Sequence, residues 1–169
     1  MRWRLKNLRQ DKRGATVVEF ALIAPVFFFM VLGIVEYSIY YFRTSHLKHV
    51  LYEASRNLQT GEVQAASDPQ AHFRDAYCDD AGWLTDCSQI FFDVRNYSSL
   101  GEIAWPEATF DEDGVPEDFV FDPGGPDQLT VLRVATPYRF FTPMMARIFQ
   151  PDGSAAIIVG YTVAKNEPF

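Results

Sequence analysis

From Phe20 to Val35 the chain runs sixteen residues without a charge. The apolar run extends on both sides to Ala15–Phe42, 28 residues in which Glu19 and Glu36 are the only charges. As a helix this segment is about 42 Å long at about 1.5 Å per residue, and a bilayer core of about 30 Å needs only about 20 residues. The two acids lie 17 positions apart, about 25 Å along the axis, so each falls near one membrane face and the segment can span. Pro25 and Gly33 sit inside it. A proline there either bends the helix or reflects ordinary membrane-helix composition, and the sequence leaves both readings open. Beyond Phe42 the apolar positions thin to Leu47, Val50, Leu51, Ala54 and Leu58, three or four apart, as on one face of a helix. The helix is expected to continue to about Gln59, with Gly61 as its stop. Its first half is lipid-soluble, and its second half carries one stripe that must be buried against a globular head.

Downstream, the pattern changes to short elements. Asp68-Pro69 predicts a helix start, with Asp as N-cap and Pro in the first turn, and Phe73, Ala76, Tyr77 and Leu84 supply an apolar face. Gln89–Tyr97 alternates as a strand, with Ile90, Phe92 and Val94 on one side and Asp93, Arg95 and Tyr97 on the other. Further strands are expected over 128–136 and 154–165. The second is rich in β-branched residues and suits a central position. Between them Thr142-Pro143 caps a short helix through Phe149. Trp105–Gln128 is a loop-rich insertion dense in Pro and Gly, in which Phe119–Phe121 suits a short edge strand. The fold class is therefore α+β: one long helix packed on a small antiparallel sheet.

Charge orients this arrangement. Six Lys and Arg against Asp11 give residues 1–14 a charge of +5, which leaves −12 on residues 15–169 of a chain whose total is −7. Basic residues beside a spanning segment stay cytoplasmic, so the acidic part lies outside. An acidic body also argues against nucleic acid, which requires cations for its phosphates. A removable secretory signal fits poorly. The apolar core is long, and it is followed by the bulky Glu36-Tyr37-Ser38-Ile39-Tyr40-Tyr41 rather than a small-residue cleavage site. These tyrosines suit an interfacial belt. The expected organisation is a basic cytoplasmic leader (1–14), a transmembrane helix (15–42), its continuation as a stalk (43–60) and an exported head (61–169).

Little in the sequence points to catalysis or metal binding. Cys78 and Cys87 are the only cysteines, and an even count in an exported head points to a disulfide, with two unlinked buried thiols as the alternative. His46 and His49 share a helical face, but no third metal ligand is evident beside them. Glu107–Asp127 is acid-rich, yet Asp111-Glu112-Asp113-Gly114 lacks the spacing of an EF-hand, so a solvated loop is expected. No nucleophile elbow, zinc-protease motif, P-loop or dinucleotide fingerprint occurs, and no cofactor or metal site is expected. Glu19 remains. A carboxylate at the mouth of a hydrocarbon segment costs up to about 3 kcal/mol, and such residues are functional by default. It either marks the membrane boundary or answers a positive charge, and Gly14 five residues before it favours the second reading.

The block from Arg13 to Val26, with Arg13-Gly14, small residues, Val18-Glu19-Phe20-Ala21 and then an apolar stretch with Pro25, resembles the start of the TadE family. These are pilin-like proteins of the Tad (tight adherence) system, which builds Flp-type IVb pili in bacteria. Gly33-Ile34-Val35-Glu36-Tyr37 resembles the family's second landmark, and Ala54-Ser55-Arg56 with Thr60-Gly61 resembles the stretch after the helix. Asn166-Glu167-Pro168-Phe169 resembles its C-terminal motif, here after Lys165 where Arg is usual. The resemblance implies a minor pilin or pseudopilin that acts in pilus biogenesis and adherence, not an enzyme. It implies cleavage by a prepilin peptidase between Gly14 and Ala15. Glu19, with Phe20 beside it, would then set axial register against the new α-amino group of a neighbouring subunit. The implied partners are the peptidase, other pilins or pseudopilins, the Tad machinery and the lipid bilayer. The implied location is the bacterial inner membrane, single-pass, with the C-terminal part periplasmic. The contrasting expectation is a membrane-tethered binding module or hydrolase that uses the helix only as an anchor.

Overall fold

The computed structural model describes residues 14–103 and 107–169. The basic leader before Gly14, together with Trp105 and Pro106 of the insertion, lies outside the described residues. The elements follow in order: α1 (Ala15–Gln59), α2 (Glu62–Ala65), α3 (Pro69–Ala81), β1 (Phe91–Tyr97), β2 (Leu129–Tyr138), α4 (Pro143–Phe149) and β3 (Ala156–Lys165). The long apolar helix packed on a three-stranded antiparallel sheet makes the fold α+β, as the residue pattern predicts.

α1 is one uninterrupted helix of 45 residues that runs through Pro25. Its length is about 68 Å. The stripe expected on its second half is buried throughout: Leu47, Val50, Leu51, Ala54 and Leu58 are each at most 3% exposed. Gly61 ends the helix at φ +82°, a left-handed conformation that glycine adopts without a Cβ clash. α3 begins as predicted, with the Asp68 carboxylate accepting from the Ala71 N–H at 3.0 Å. Phe73, Tyr77 and Ala81 face the core.

The strands lie in the order β1-β2-β3, and both pairs are antiparallel. β2 is therefore central and β3 lies at an edge, which corrects the expectation for 154–165. α1 covers the face that carries Ile158 and Gly160, whereas the β-branched Ile157, Val159 and Val163 lie on the opposite face. Gly160 permits the approach: a Cβ there would meet Lys48 Cγ at 3.2 Å and Leu47 Cδ2 at 3.6 Å. The inner sheet face gives Phe92, Val94, Leu132, Val134 and Ile158 to a core shared with α1 and α3. Phe73 and Tyr77 both meet the Phe92 ring edge-on, at centroid distances of 5.2 and 5.0 Å.

The outer sheet face departs from simple alternation. Asp93 and Arg133 stand opposite each other in register, and both are 4% exposed. The acidic insertion covers them. Val94 pairs in parallel with Phe121, accepting at its carbonyl from Asp122 N and donating to Val120 O, each at 2.8 Å. The edge contact expected of Phe119–Phe121 thus forms as a single bridge. The acids of the loop behave in two ways: Asp111, Glu112, Asp113, Glu117, Asp122 and Asp127 are exposed, whereas Asp118 is half-buried.

Candidate functional site: the apolar helix and its junction with the head

The first half of α1 is a bare apolar rod. From Ala15 to Leu32 only Ala24 is as much as half-buried, and Phe20, Leu22 and Val26 are each about 70% exposed. In water this much contiguous apolar surface is unfavourable, so the rod requires lipid or neighbouring helices. Its most hydrophobic window has a mean hydropathy of 2.5 and is almost unburied by the chain itself. A helix of this kind, long, apolar and close to the N-terminus, fits a single-pass membrane protein.

The two acids of the segment have different surroundings. Glu19 is exposed, and among the described residues it has no ion-pair partner. Gly14 is also exposed, and Phe20 beside Glu19 points away from the fold. Glu36 is fully buried. Its carboxylate accepts from the Phe141 N–H, from the Thr142 N–H at 3.1 Å and from the Thr142 hydroxyl. These donors lie at the start of α4, where unpaired N–H groups and the helix dipole favour negative charge. Sequence reasoning assigned that cap to Thr142. The Thr142 side chain makes no cap bond to α4, because its hydroxyl is turned to Glu36. Glu36 therefore neither needs water nor reaches for it; it ties α1 to a segment more than a hundred residues later.

Aromatic rings build the rest of this junction. Tyr40 packs between Tyr138 and Phe140 at centroid distances of 5.3 and 5.5 Å, and Phe140 stacks on Phe149 at 5.0 Å. The Arg43 guanidinium lies over the Tyr138 ring at 5.5 Å. Burial, and then the negative charge of Glu36, push the Tyr138 hydroxyl above its ordinary pKa. Of the tyrosines expected to form an interfacial belt, Tyr37 and Tyr41 are exposed, whereas Tyr40 is taken into this cluster.

The other singled-out residues act within the head. Cys78 and Cys87 form a disulfide with a Cα–Cα distance of 6.0 Å, joining the end of α3 to the turn before β1. His46 points to the Ala81 carbonyl at 3.1 Å and stacks on Phe42, while His49 is exposed. The two imidazoles do not converge, and among the described residues no group of His, Cys, Asp or Glu is arranged to hold a metal. The C-terminal motif is a clamp. Asn166 is 1% exposed, and its side-chain amide donates to Pro123 O at 3.0 Å and to Gly125 O at 2.9 Å. Its oxygen accepts from the Thr130 hydroxyl at 3.3 Å. Next to it Glu167 N donates to Gln59 O, at the end of α1, at 2.9 Å. Pro168 leads to Phe169, whose ring lies where a side chain at Gly61 would stand. The tail thus joins the insertion, β2 and the end of the long helix.

Comparison with known proteins adds one positive finding. A family model described as TadE-like protein matches residues 14–56, a stretch that begins at Gly14, contains both Glu19 and Glu36, and ends within the buried stripe of α1. It is the family that the N-terminal block resembles, and it suggests involvement in Tad pilus assembly. The disulfide and the C-terminal clamp lie beyond the matched residues. No curated protein and no solved structure matches the chain.

Proposed function

We propose that this chain is a TadE-like minor pilin or pseudopilin of Tad pilus biogenesis. In this reading the residues before Ala15 are a cytoplasmic leader, the first half of α1 spans the inner membrane, and the head lies in the periplasm. A prepilin peptidase cuts between Gly14 and Ala15. The freed helix then packs against the helices of other pilins or pseudopilins, where Glu19 answers the α-amino group of a neighbour and fixes axial register.

The family match starting at Gly14 carries this reading. The geometry supports it. The exposed rod contains Glu19, four residues after Ala15 and without an ion-pair partner among the described residues, while the second acid is already satisfied within the chain. Of the two acids of the apolar segment, Glu19 is the one left for a partner subunit. The test is N-terminal sequencing of protein purified from cells that contain the peptidase. The expected sequence starts at Ala15, and Gly14→Arg yields only the uncut form. A wild-type chain that keeps its leader while pili assemble normally refutes the processing step.

A further inference from the structure

α4 lies against the apolar rod rather than over the sheet. Gly33 allows this approach, since a Cβ there would meet Met144 Cε at 3.1 Å. Between the two helices runs an open, largely apolar groove of about 520 Å³ lined by Val26, Phe29, Met30, Met144, Arg147 and Ile148, among others. On and around α4 Phe141, Ile148 and Phe149 are at least half exposed, and Met144 is 40% exposed. Seven residues with this much apolar surface are not explained by packing within the chain.

The membrane arithmetic supplies the occupant. The basic leader ends at Arg13, and its charges mark one face of the bilayer. Twenty helical residues from Gly14 span the hydrocarbon core of about 30 Å and end at Gly33. Gly33 is the residue that Met144 touches. The groove residues Val26, Phe29 and Met30 lie three to seven positions below it, or about 5–10 Å, the depth to which interfacial amphipathic helices bury their apolar face. Arg147, on the groove wall, is the cation that such a helix directs to lipid phosphate.

We infer that α4 is a membrane-docking foot. Its apolar side enters the outer leaflet beside α1, an acyl chain fills the groove, and Arg147 meets a headgroup phosphate. Glu36 pins the start of α4 at the lipid boundary, and the head is thereby held against the bilayer at a fixed angle. The inference stands on the membrane span of α1 and is independent of peptidase processing and of pilus assembly.

The experiment uses the full-length chain in vesicles of phosphatidylethanolamine and phosphatidylglycerol at high lipid-to-protein ratio. Because both native cysteines are disulfide-bonded, Ile148→Cys, Phe28→Cys and Trp83→Cys each offer one site for a nitroxide label. Collision with oxygen, relative to a water-soluble nickel chelate, reports depth. The ratio at position 148 is expected to approach that at 28, on the rod, and to exceed several-fold that at 83, which is 91% exposed on the head. A ratio at 148 equal to that at 83 overturns the inference. So does a lipid-like ratio that appears only when protein is crowded, since a second copy then covers the foot. In the unsubstituted chain a carbene-generating phospholipid should label the peptide containing 141–149 as well as α1. Labelling confined to α1 is equally decisive against the foot.

Discussion

Two residues of the head show how burial sets behaviour. Asp93 accepts from Arg133 at 2.6 Å, from Arg95 at 3.0 Å and from Val120 N at 3.1 Å. The Arg133 guanidinium also lies over the Phe119 ring at 4.6 Å. Removing one member of a buried pair strands the other, at about 3–5 kcal/mol. Asp93→Ala should therefore lower the unfolding free energy measured in denaturant by that amount, and Asp93→Leu combined with Arg133→Met should recover most of the loss. A double variant as unstable as the single one contradicts this account. Tyr77 gives a pH dependence. Its hydroxyl donates to Leu47 O at 3.3 Å inside the core, and burial pushes its pKa well above the ordinary tyrosine value of 10.0. The folded state thus holds a proton that the unfolded state releases above pH 10. Stability is full below pH 10 and declines as pH rises beyond it, by at most about 1.4 kcal/mol per pH unit for one group. Tyr138, shifted in the same direction, adds to the loss. Urea midpoints measured from pH 8 to 11.5 should show the decline, and Tyr77→Phe should flatten it.

At the scale of elements, the parts legible in the sequence are those fixed by local periodicity or local chemistry. The stripe Leu47–Leu58, the Asp68 cap and the alternation of Phe92 and Val94 each follow from neighbours a few positions away, and each holds in the structure. What the sequence hides is set by distant segments. Asp93 looks like an outward, solvated residue until the insertion folds over it. Thr142 looks like a cap until its hydroxyl and N–H turn to Glu36, 106 positions earlier. A β-branched run looks central until α1 covers one face of what is an edge strand. The tail is the same kind of case: the bonds of Asn166 and Glu167 to Pro123, Gly125 and Gln59 have no local signal. Asn166→Ala leaves two loop carbonyls and the Thr130 hydroxyl without this partner and should cost about 1–3 kcal/mol. Its mark should be regional. Amide exchange should quicken at Gln128 and Thr130 and at the end of α1, while β1 keeps its protection. Uniform acceleration would show that the tail is not a local clamp.

For the whole molecule, the division of labour between Glu19 and Glu36, the two acids of the apolar segment 15–42, is the central feature. A single helix carries one carboxylate that the fold consumes and another that the fold leaves open. Glu36 belongs to the tertiary structure, because its bonds to Phe141 and Thr142 set where the head meets the rod. Glu19 is exposed and among the described residues has no ion-pair partner. Under the proposed assembly role, conservative replacement of each acid must therefore fail in a different way. Glu36→Gln keeps the shape but puts an amide nitrogen against N–H donors, so α4 should loosen. Limited proteolysis near 141–149 should speed up several-fold, and the unfolding free energy should fall by about 1–3 kcal/mol. Glu19→Gln should insert, fold and resist protease as wild type does, yet reduce the pili recovered by shearing, because no carboxylate answers the neighbour's amine. The comparison is informative because each variant controls for the other. If Glu19→Gln assembles pili at the wild-type level, the register role is lost, even if Glu36→Gln behaves as expected.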